Sequence, residues 1–193
     1  LKNPEKLFTL ATENNLVYQL DKICKEKSFR KALANKNDGL LFININLNAI
    51  KEPVLREFSK SEFFESDKIP SNKIVFEVSE QSAVENIDLF QSAFNYLKSK
   101  NFKIAIDDMG SGHYTNLQII NRIKPDFIKI DMPLIRNVDK DIVKQELVSS
   151  MVRLSSKSGI EVIAEGIETS AELSMLRNLN VQYGQGYFIA RPC

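Results

Sequence analysis

The stretch KIAIDDMGSGHYTNLQIINRIKPDFIKID, from Lys103 to Asp131, holds two short isoleucine-rich runs separated by a helix-length segment. Runs of this length and composition read as buried strands. Side chains in a strand alternate between faces, so Ile104 and Ile106 point one way while Ala105 and Asp107 point the other. The second run repeats the arrangement, with Ile128 and Ile130 on one face and Phe127, Lys129 and Asp131 on the opposite one. Each run thus ends in charged groups on the face away from its isoleucines.

The same parity recurs outward from this pair. In LLFININL, residues 40 to 47, Leu41, Ile43 and Ile45 share a face and Phe42, Asn44 and Asn46 the other; a polar row inside an apolar strand needs hydrogen-bond partners or a ligand. In IVFEVSE, 74 to 80, Phe76 and Val78 oppose Val75, Glu77 and Ser79. In EVIAEGIE, 161 to 168, Val162 and Ala164 oppose Ile163 and Glu165, and a short sixth strand ends at Gln185. Between them lie amphipathic segments. Two packed helices are expected within residues 5 to 33, broken at Asn14 and Asn15. Another helix follows from a Ser82–Glu85 capping box with Phe90, Phe94 and Leu97 on one side. A third runs from Asp139 to Lys157, with Ile142, Leu147, Met151 and Leu154 as its apolar face and Gly159 at its end, and a fourth from a Thr169–Glu172 capping box to about Leu179.

Strand-then-helix units in succession predict a parallel α/β sheet with helical crossovers, either doubly wound or a barrel. The polar residues favour a barrel, where the carboxyl ends of many strands converge on one mouth. Asn44, Glu77, Asp107, Asp108, Lys129, Asp131, Glu165 and Gln185 all stand at or near strand ends. The expected fold is a (βα)8 TIM-type barrel; eight strands close such a barrel, so two are missing from this count, and residues 1–193 form one domain.

Bulk properties bound the chemistry. A chain of 193 residues suffices for one domain with a core that needs no disulfide or metal staple. Its 26 basic and 25 acidic residues nearly cancel, which argues against duplex nucleic acid as a partner. Cys24 and Cys193 form no CxxC spacing, which favours a reducing, cytoplasmic compartment. No apolar run approaches the roughly 20 residues of a membrane span, although a parent protein is free to be membrane-attached.

Taken singly, these polar residues have ordinary explanations: Asn44 or Asp107 as caps, Glu77 or Glu165 as partners of a lysine. Together, four or more carboxylates at one mouth repel one another unless cations neutralise them. Asn and carboxylate oxygens suit Mg²⁺ or Mn²⁺ rather than zinc, and a pair of such ions suits phosphoester hydrolysis. Lys129 is placed to orient water or to counter transition-state charge; the alternatives are an ion pair with Asp131 or Asp108, or a Schiff-base lysine, against which the surrounding carboxylates argue. His113, the only histidine, reads as a loop residue, and the glycines fit neither a dinucleotide fingerprint nor a P-loop.

The ordered set FININ, FEVSE, IDDMGSG, PDFIKID, IAEGIET and QGYFIARP resembles the EAL domain, a family that hydrolyses bacterial cyclic di-GMP to linear pGpG, and the resemblance covers nearly the whole chain. It implies that Asn44, Glu77 and Asp107 bind one metal and Asp107, Asp108 and Glu165 a second, in a two-metal Mg²⁺ or Mn²⁺ site. It further implies that Lys129 is the active-site lysine, Glu165 also a candidate general base, Glu168 the anchor of the loop after DDMGSG, Asp131 a neighbour of the metals, and Gln185 a residue near the water or substrate. The implied partners are cyclic di-GMP, a second copy of the domain, and sensor or GGDEF-type domains of a parent signalling protein. A receptor that binds cyclic di-GMP without cutting it is the alternative. Two departures stand out. The family fold is a modified (βα)8 TIM-type barrel, and the Glu-Ala-Leu segment and the strand before it, its first two strands, are absent, so the chain is expected to be amino-terminally truncated and to turn over poorly by itself; it also stops soon after the last strand, so a final helix is expected to be lacking. Met109 replaces the usual Phe, and the loop DDMGSGHYTNL is one residue longer than the family's usual form, which bears on a loop that in the family couples metals to dimerisation.

Overall fold

The computed structural model describes residues 4–34, 39–45, 69–85, 87–110 and 117–191. Expectations that touch Asn46, His113 and Cys193, or the side chains of Glu85 and Phe90, lie outside what is described.

Six parallel strands form one curled sheet in sequential order. They are β1 (Leu41–Asn44), β2 (Ile74–Ser79), β3 (Lys103–Met109), β4 (Phe127–Ile130), β5 (Glu161–Ala164) and β6 (Tyr183–Gly184). Every neighbouring pair is parallel, with Asn44 opposite Glu77, Ala105 opposite Phe127 and Lys129 opposite Ile163. Parallel neighbours require crossovers, and helices supply most of them. The described helices are α1 (Pro4–Glu13), α2 (Val17–Ala34), α3 (Glu80–Glu85), α4 (Ile87–Ser99), α5 (Leu117–Ile123), α6 (Met132–Ile135), α7 (Ile142–Lys157) and α8 (Ser170–Asn178). None of them is long and apolar enough to cross a membrane.

The two faces of the sheet bury different things. Ile43, Ile74, Phe76, Val78, Ile104, Ile106, Ile128, Ile130, Val162 and Ala164 pack with Phe94, Leu97, Ile120, Val148, Val152 and Leu176 of the helices in one large core. A second, small cluster of Val75, Ala105, Phe127 and Ile163, with Phe42 against it, contains no helix residue and therefore lines the concave face. Phe42 meets the Phe127 ring edge-on at 5.5 Å between centroids, an arrangement that aromatic quadrupoles favour. The parity read from the sequence holds at all of these positions.

The break after α1 falls where expected. Asn15 takes a left-handed conformation (φ 54°), which asparagine tolerates, and Leu16 N–H donates to the Ala11 carbonyl at 2.7 Å. The Thr169–Glu172 capping box is present in full at the start of α8.

Two expectations are corrected. Ser82 does not begin a helix. Helix α3 starts at Glu80, and Ser79 Oγ accepts the Ser82 N–H at 3.4 Å, because the strand end itself supplies the capping hydroxyl. Helix α7 starts at Ile142 rather than Asp139, with Asp141 accepting from Val143 and Lys144. Its buried stripe is Val148, Met151, Val152 and Ser155, whereas Ile142 (66% exposed) and Leu147 (47%) face outward with Val143. Helical periodicity allows several adjacent stripes, and the sheet selects one of them.

Candidate active site

Moving two residues along each strand from the small apolar cluster leads from Val75 to Glu77, from Ala105 to Asp107, from Phe127 to Lys129 and from Ile163 to Glu165. Period-two geometry puts the second set directly above the first on the same face. Lys129, 5% exposed, stands at the centre. Its Nζ lies 2.6 Å from Glu77 Oε1, 2.9 Å from Asp107 Oδ1 and 2.6 Å from Glu165 Oε1. An ammonium has three N–H donors, and here each has its own carboxylate.

The alternative, an ion pair with Asp131 or Asp108, is not the pairing seen; Lys129 makes this triple one. The reason is register: β2 and β5 flank β3 and β4 in the curled sheet, so carboxylates from three strands reach the same ammonium. Burial alone would depress the lysine, but Glu77 and Asp107 outweigh it and raise Lys129 above its ordinary 10.5. That shift favours the cation and argues against the Schiff-base reading, which needs a neutral amine.

Asp108 reaches the mouth by a different route. Strict alternation would turn it toward the helices. Instead Ile106 pairs with Ile128 and Met109 with Ile130, so three residues of β3 span two of β4, a β-bulge. Asp108 sits in the left-handed region (φ 59°), which aspartate enters more readily than most residues, and its N–H donates to Asp107 Oδ1 at 3.0 Å. Met109 returns to the helix side, fully buried in the large core. The consequence is that consecutive carboxylates face the same space. One oxygen each from Asp107, Asp108 and Glu165 lie within 4.8 Å of one another.

Burial raises Asp108, with Asp107 and Asp131 adding repulsion. Burial likewise raises Glu77 and Glu165, against the pull of Lys129. Four carboxylates around one lysine leave excess negative charge. A divalent cation takes hard oxygens at about 2.0–2.6 Å, and three oxygens within reach of one another fit that requirement. Asn44, exposed at the end of β1, is in register with Glu77 beside this set.

The remaining expected residues are distributed around the mouth. Gln185 donates through Nε2 to Glu165 Oε1, and its N–H donates to the Ala164 carbonyl at 2.8 Å. Asp131 caps α6, its Oδ1 accepting the Met132 N–H at 2.7 Å. Glu168 is not in the cluster; its Oε2 pairs with Arg136 Nη1 at 2.6 Å. Among the described residues, the carboxylate that touches the start of the loop after DDMG is Glu80, 5% exposed, whose Oε2 accepts the Gly110 N–H at 3.3 Å. Sequence reasoning passed over Glu80. The available signal was the second glutamate of IVFEVSE at the first position of a helix, where carboxylates are favoured.

The family model described as "EAL domain" matches residues 1–192. The chain belongs to the EAL domain family. The cyclic di-GMP phosphodiesterase PdeA of Borreliella burgdorferi is 30% identical over 190 residues, 97% of this chain and 28% of that protein. The probable cyclic di-GMP phosphodiesterase PdeA of Escherichia coli K12 is 33% identical over 197 residues, 100% of this chain and 26% of that protein. The EAL domain described here thus spans about a quarter of the length of these relatives. Its fold superposes on Klebsiella pneumoniae BlrP1 in complex with calcium and cyclic di-GMP, with a TM-score of 0.89, 29% identity, and coverage of 99% of this chain and 48% of that one. A manganese complex of the same protein gives 0.88 at 28% identity, covering 99% and 48%.

Proposed function

We propose that this EAL domain hydrolyses cyclic di-GMP to linear pGpG with the help of two divalent cations, Mg²⁺ or Mn²⁺, at the mouth of a (βα)8-type barrel. One observation carries the reading: Glu77, Asp107 and Glu165 converge on a single ammonium and Asp108 faces two of them, an excess of anionic oxygen that a phosphodiester, itself anionic, can approach only over bound cations. Asp107, Asp108 and Glu165 would hold one ion and Asn44, Glu77 and Asp107 the other. Such ions supply a water of lowered pKa and charge stabilisation on the phosphate oxygens.

The chain's own residues do the rest. Lys129, held cationic by its three partners, counters negative charge as the phosphorus centre becomes five-coordinate. Glu165 is the candidate general base; burial keeps its proton affinity above that of an ordinary carboxylate, and Gln185 orients the same oxygen. Asp131 stands beside Asp108, and Glu168 forms the rim with Arg136. The exposed apolar side chains Ile142, Val143 and Leu147 of α7 support pairing of two copies, and sedimentation of a Leu147→Glu variant as a monomer where the parent is a dimer checks this. The coverage of a quarter of its relatives supports a place as one module of a larger signalling protein with sensor or GGDEF-type domains.

The test is incubation of the protein carrying this domain with cyclic di-GMP and Mn²⁺, followed by chromatography. Appearance of pGpG that stops on adding a chelator is the expected result. Tight binding with unchanged dinucleotide would replace the enzyme by a receptor.

A further inference from the structure

Three glutamates are buried among the described residues: Glu77, Glu80 and Glu172. The first two belong to the mouth already described. Glu172, 1% exposed in α8, does not, yet its carboxylate is fully engaged. Oε1 accepts the Asn137 N–H at 2.9 Å, and Oε2 accepts those of Glu168 at 2.9 Å and Thr169 at 3.0 Å. A capping box requires only the bond to its own N-cap residue, here Thr169. The bond to Asn137, 35 residues away in the sequence, is additional to it.

That additional bond joins two turns which both begin in the site. Asn137, left-handed at φ 57°, closes the segment that starts at Lys129 and Asp131 and contains α6. Glu168 and Thr169 close the turn that starts at Glu165. Helix α6 is wedged between the ligand-bearing loops. A methyl group at Gly110 would overlap Leu134, and one at Gly166 would overlap Met132. Gly110 follows Asp108 by two residues, and Gly166 follows Glu165 directly.

We propose that Glu172 is a positioning residue: by clamping the Asn137 turn to the Glu168–Thr169 turn it seats α6 against Gly110 and Gly166 and so sets the spacing of the Asp108 and Glu165 carboxylates. The inference rests on the metal-site reading above. Its physical basis is that carboxylates crowded around one cavity repel and drift apart unless their backbone is held from behind. A glutamine cannot replace the clamp, because its amide accepts on one side only and would turn an NH₂ toward one of the N–H donors.

The test is calorimetric titration with Mn²⁺, without nucleotide, at a temperature well below the melting point of each variant. Glu172→Gln is expected to weaken Mn²⁺ binding about tenfold, the lower end for groups that act through a ligand, and to speed hydrogen exchange at Asn137 and Glu168. Thr169→Ala is the control. It removes the hydroxyl that accepts the Glu172 N–H at 3.1 Å and leaves the carboxylate bonds in place, so it is expected to lower the melting point with Mn²⁺ affinity unchanged. Should Glu172→Gln not fold, Met132→Ala, at a half-exposed position, removes the wedge on Gly166 and is expected to weaken Mn²⁺ in the same direction. Unchanged Mn²⁺ affinity in Glu172→Gln and Met132→Ala overturns the proposal, as does an equal loss in Thr169→Ala. A parent protein that binds no Mn²⁺ removes the metal-site reading and this inference together, whereas a parent that binds beside variants that bind equally well removes this inference alone.

Discussion

On the concave face of the sheet, Val75, Ala105, Phe127 and Ile163 form one layer, and two residues further along each strand Glu77, Asp107, Lys129 and Glu165 form the next. The backbone geometry and the strands are shared, and burial falls only part-way, Glu77 and Lys129 being buried and Asp107 and Glu165 half-buried. What differs is that the lower layer is satisfied by contact alone, while the upper one carries more negative charge than its one lysine can balance. The lower layer is an apolar floor beneath the mouth. The upper layer keeps an unmet demand for positive charge, and that demand is what a cation can answer.

The contrast breaks hardest at Lys129. Lys129→Met is expected to lower cyclic di-GMP turnover about a thousandfold, as for loss of a preorganised charge donor. In the metal-free protein it should also cost about 3 kcal/mol of stability, because the buried Glu77 and the half-buried Asp107 and Glu165 lose their partner. A steady-state assay and thermal melting check both parts, and an unchanged rate would take Lys129 out of the mechanism. In the lower layer, Phe127→Ala should cost about 3 kcal/mol of stability through lost packing, with Mn²⁺ affinity preserved below the melting point. Loss of Mn²⁺ binding in a folded Phe127→Ala protein would show that the layers are not separable.

Asp108 sharpens the comparison, since it joins the upper layer through a bulge. Asp108→Asn keeps a side chain that tolerates the left-handed backbone and should weaken Mn²⁺ binding by at least the ~100-fold seen for outer partners of a ligand, with little change in melting. Asp108→Ala should melt lower than Asp108→Asn by about 1 kcal/mol, the cost of forcing alanine into that conformation. Equal melting of the two variants would mean that the bulge stores no strain.

The smallest effect is that of pH. Asp108 and Glu165 have folded values above their unfolded ones, so acidification through the window just above the ordinary carboxylate range adds protons preferentially to the folded chain. These two groups then favour the metal-free fold as Mn²⁺ affinity falls, because ligand oxygens must be deprotonated to bind. Glu172 works in the opposite sense. Burial opposes its charge, but three backbone N–H donors hold it below its ordinary 4.5, so its contribution is present above that value and is lost as pH falls through the lower folded one. Calorimetric titrations with Mn²⁺ over a pH series, beside melting curves of the parent and of Glu172→Gln, separate the two trends. A Mn²⁺ affinity flat across the window would contradict the first.

Legibility followed the range of the interaction. Glu77, Asp107, Lys129 and Glu165 were readable because side-chain parity is local to each strand. The capping box at Thr169 was readable for the same reason, as was the break at Asn15. Asp108 was named as a ligand only through resemblance, since the extra residue in β3 is defined by its pairing with β4. Glu80 was missed because its partner, the Gly110 N–H, belongs to another strand's end. Ile142 and Leu147 were assigned to the core because periodicity cannot say which apolar stripe the sheet will cover.

By itself, the order of residues determined that each strand presents apolar side chains to the helices and polar ones to the opposite face near its end, since a peptide in extended conformation has no other way to dispose alternate side chains. Only the tertiary structure decided which of those polar groups meet. The triple pairing of Lys129, the bulge that turns Asp108 inward, and the reach of Glu172 from α8 to the Asn137 turn all depend on strands and turns distant in the chain lying at fixed register, and register is a property of the assembled sheet.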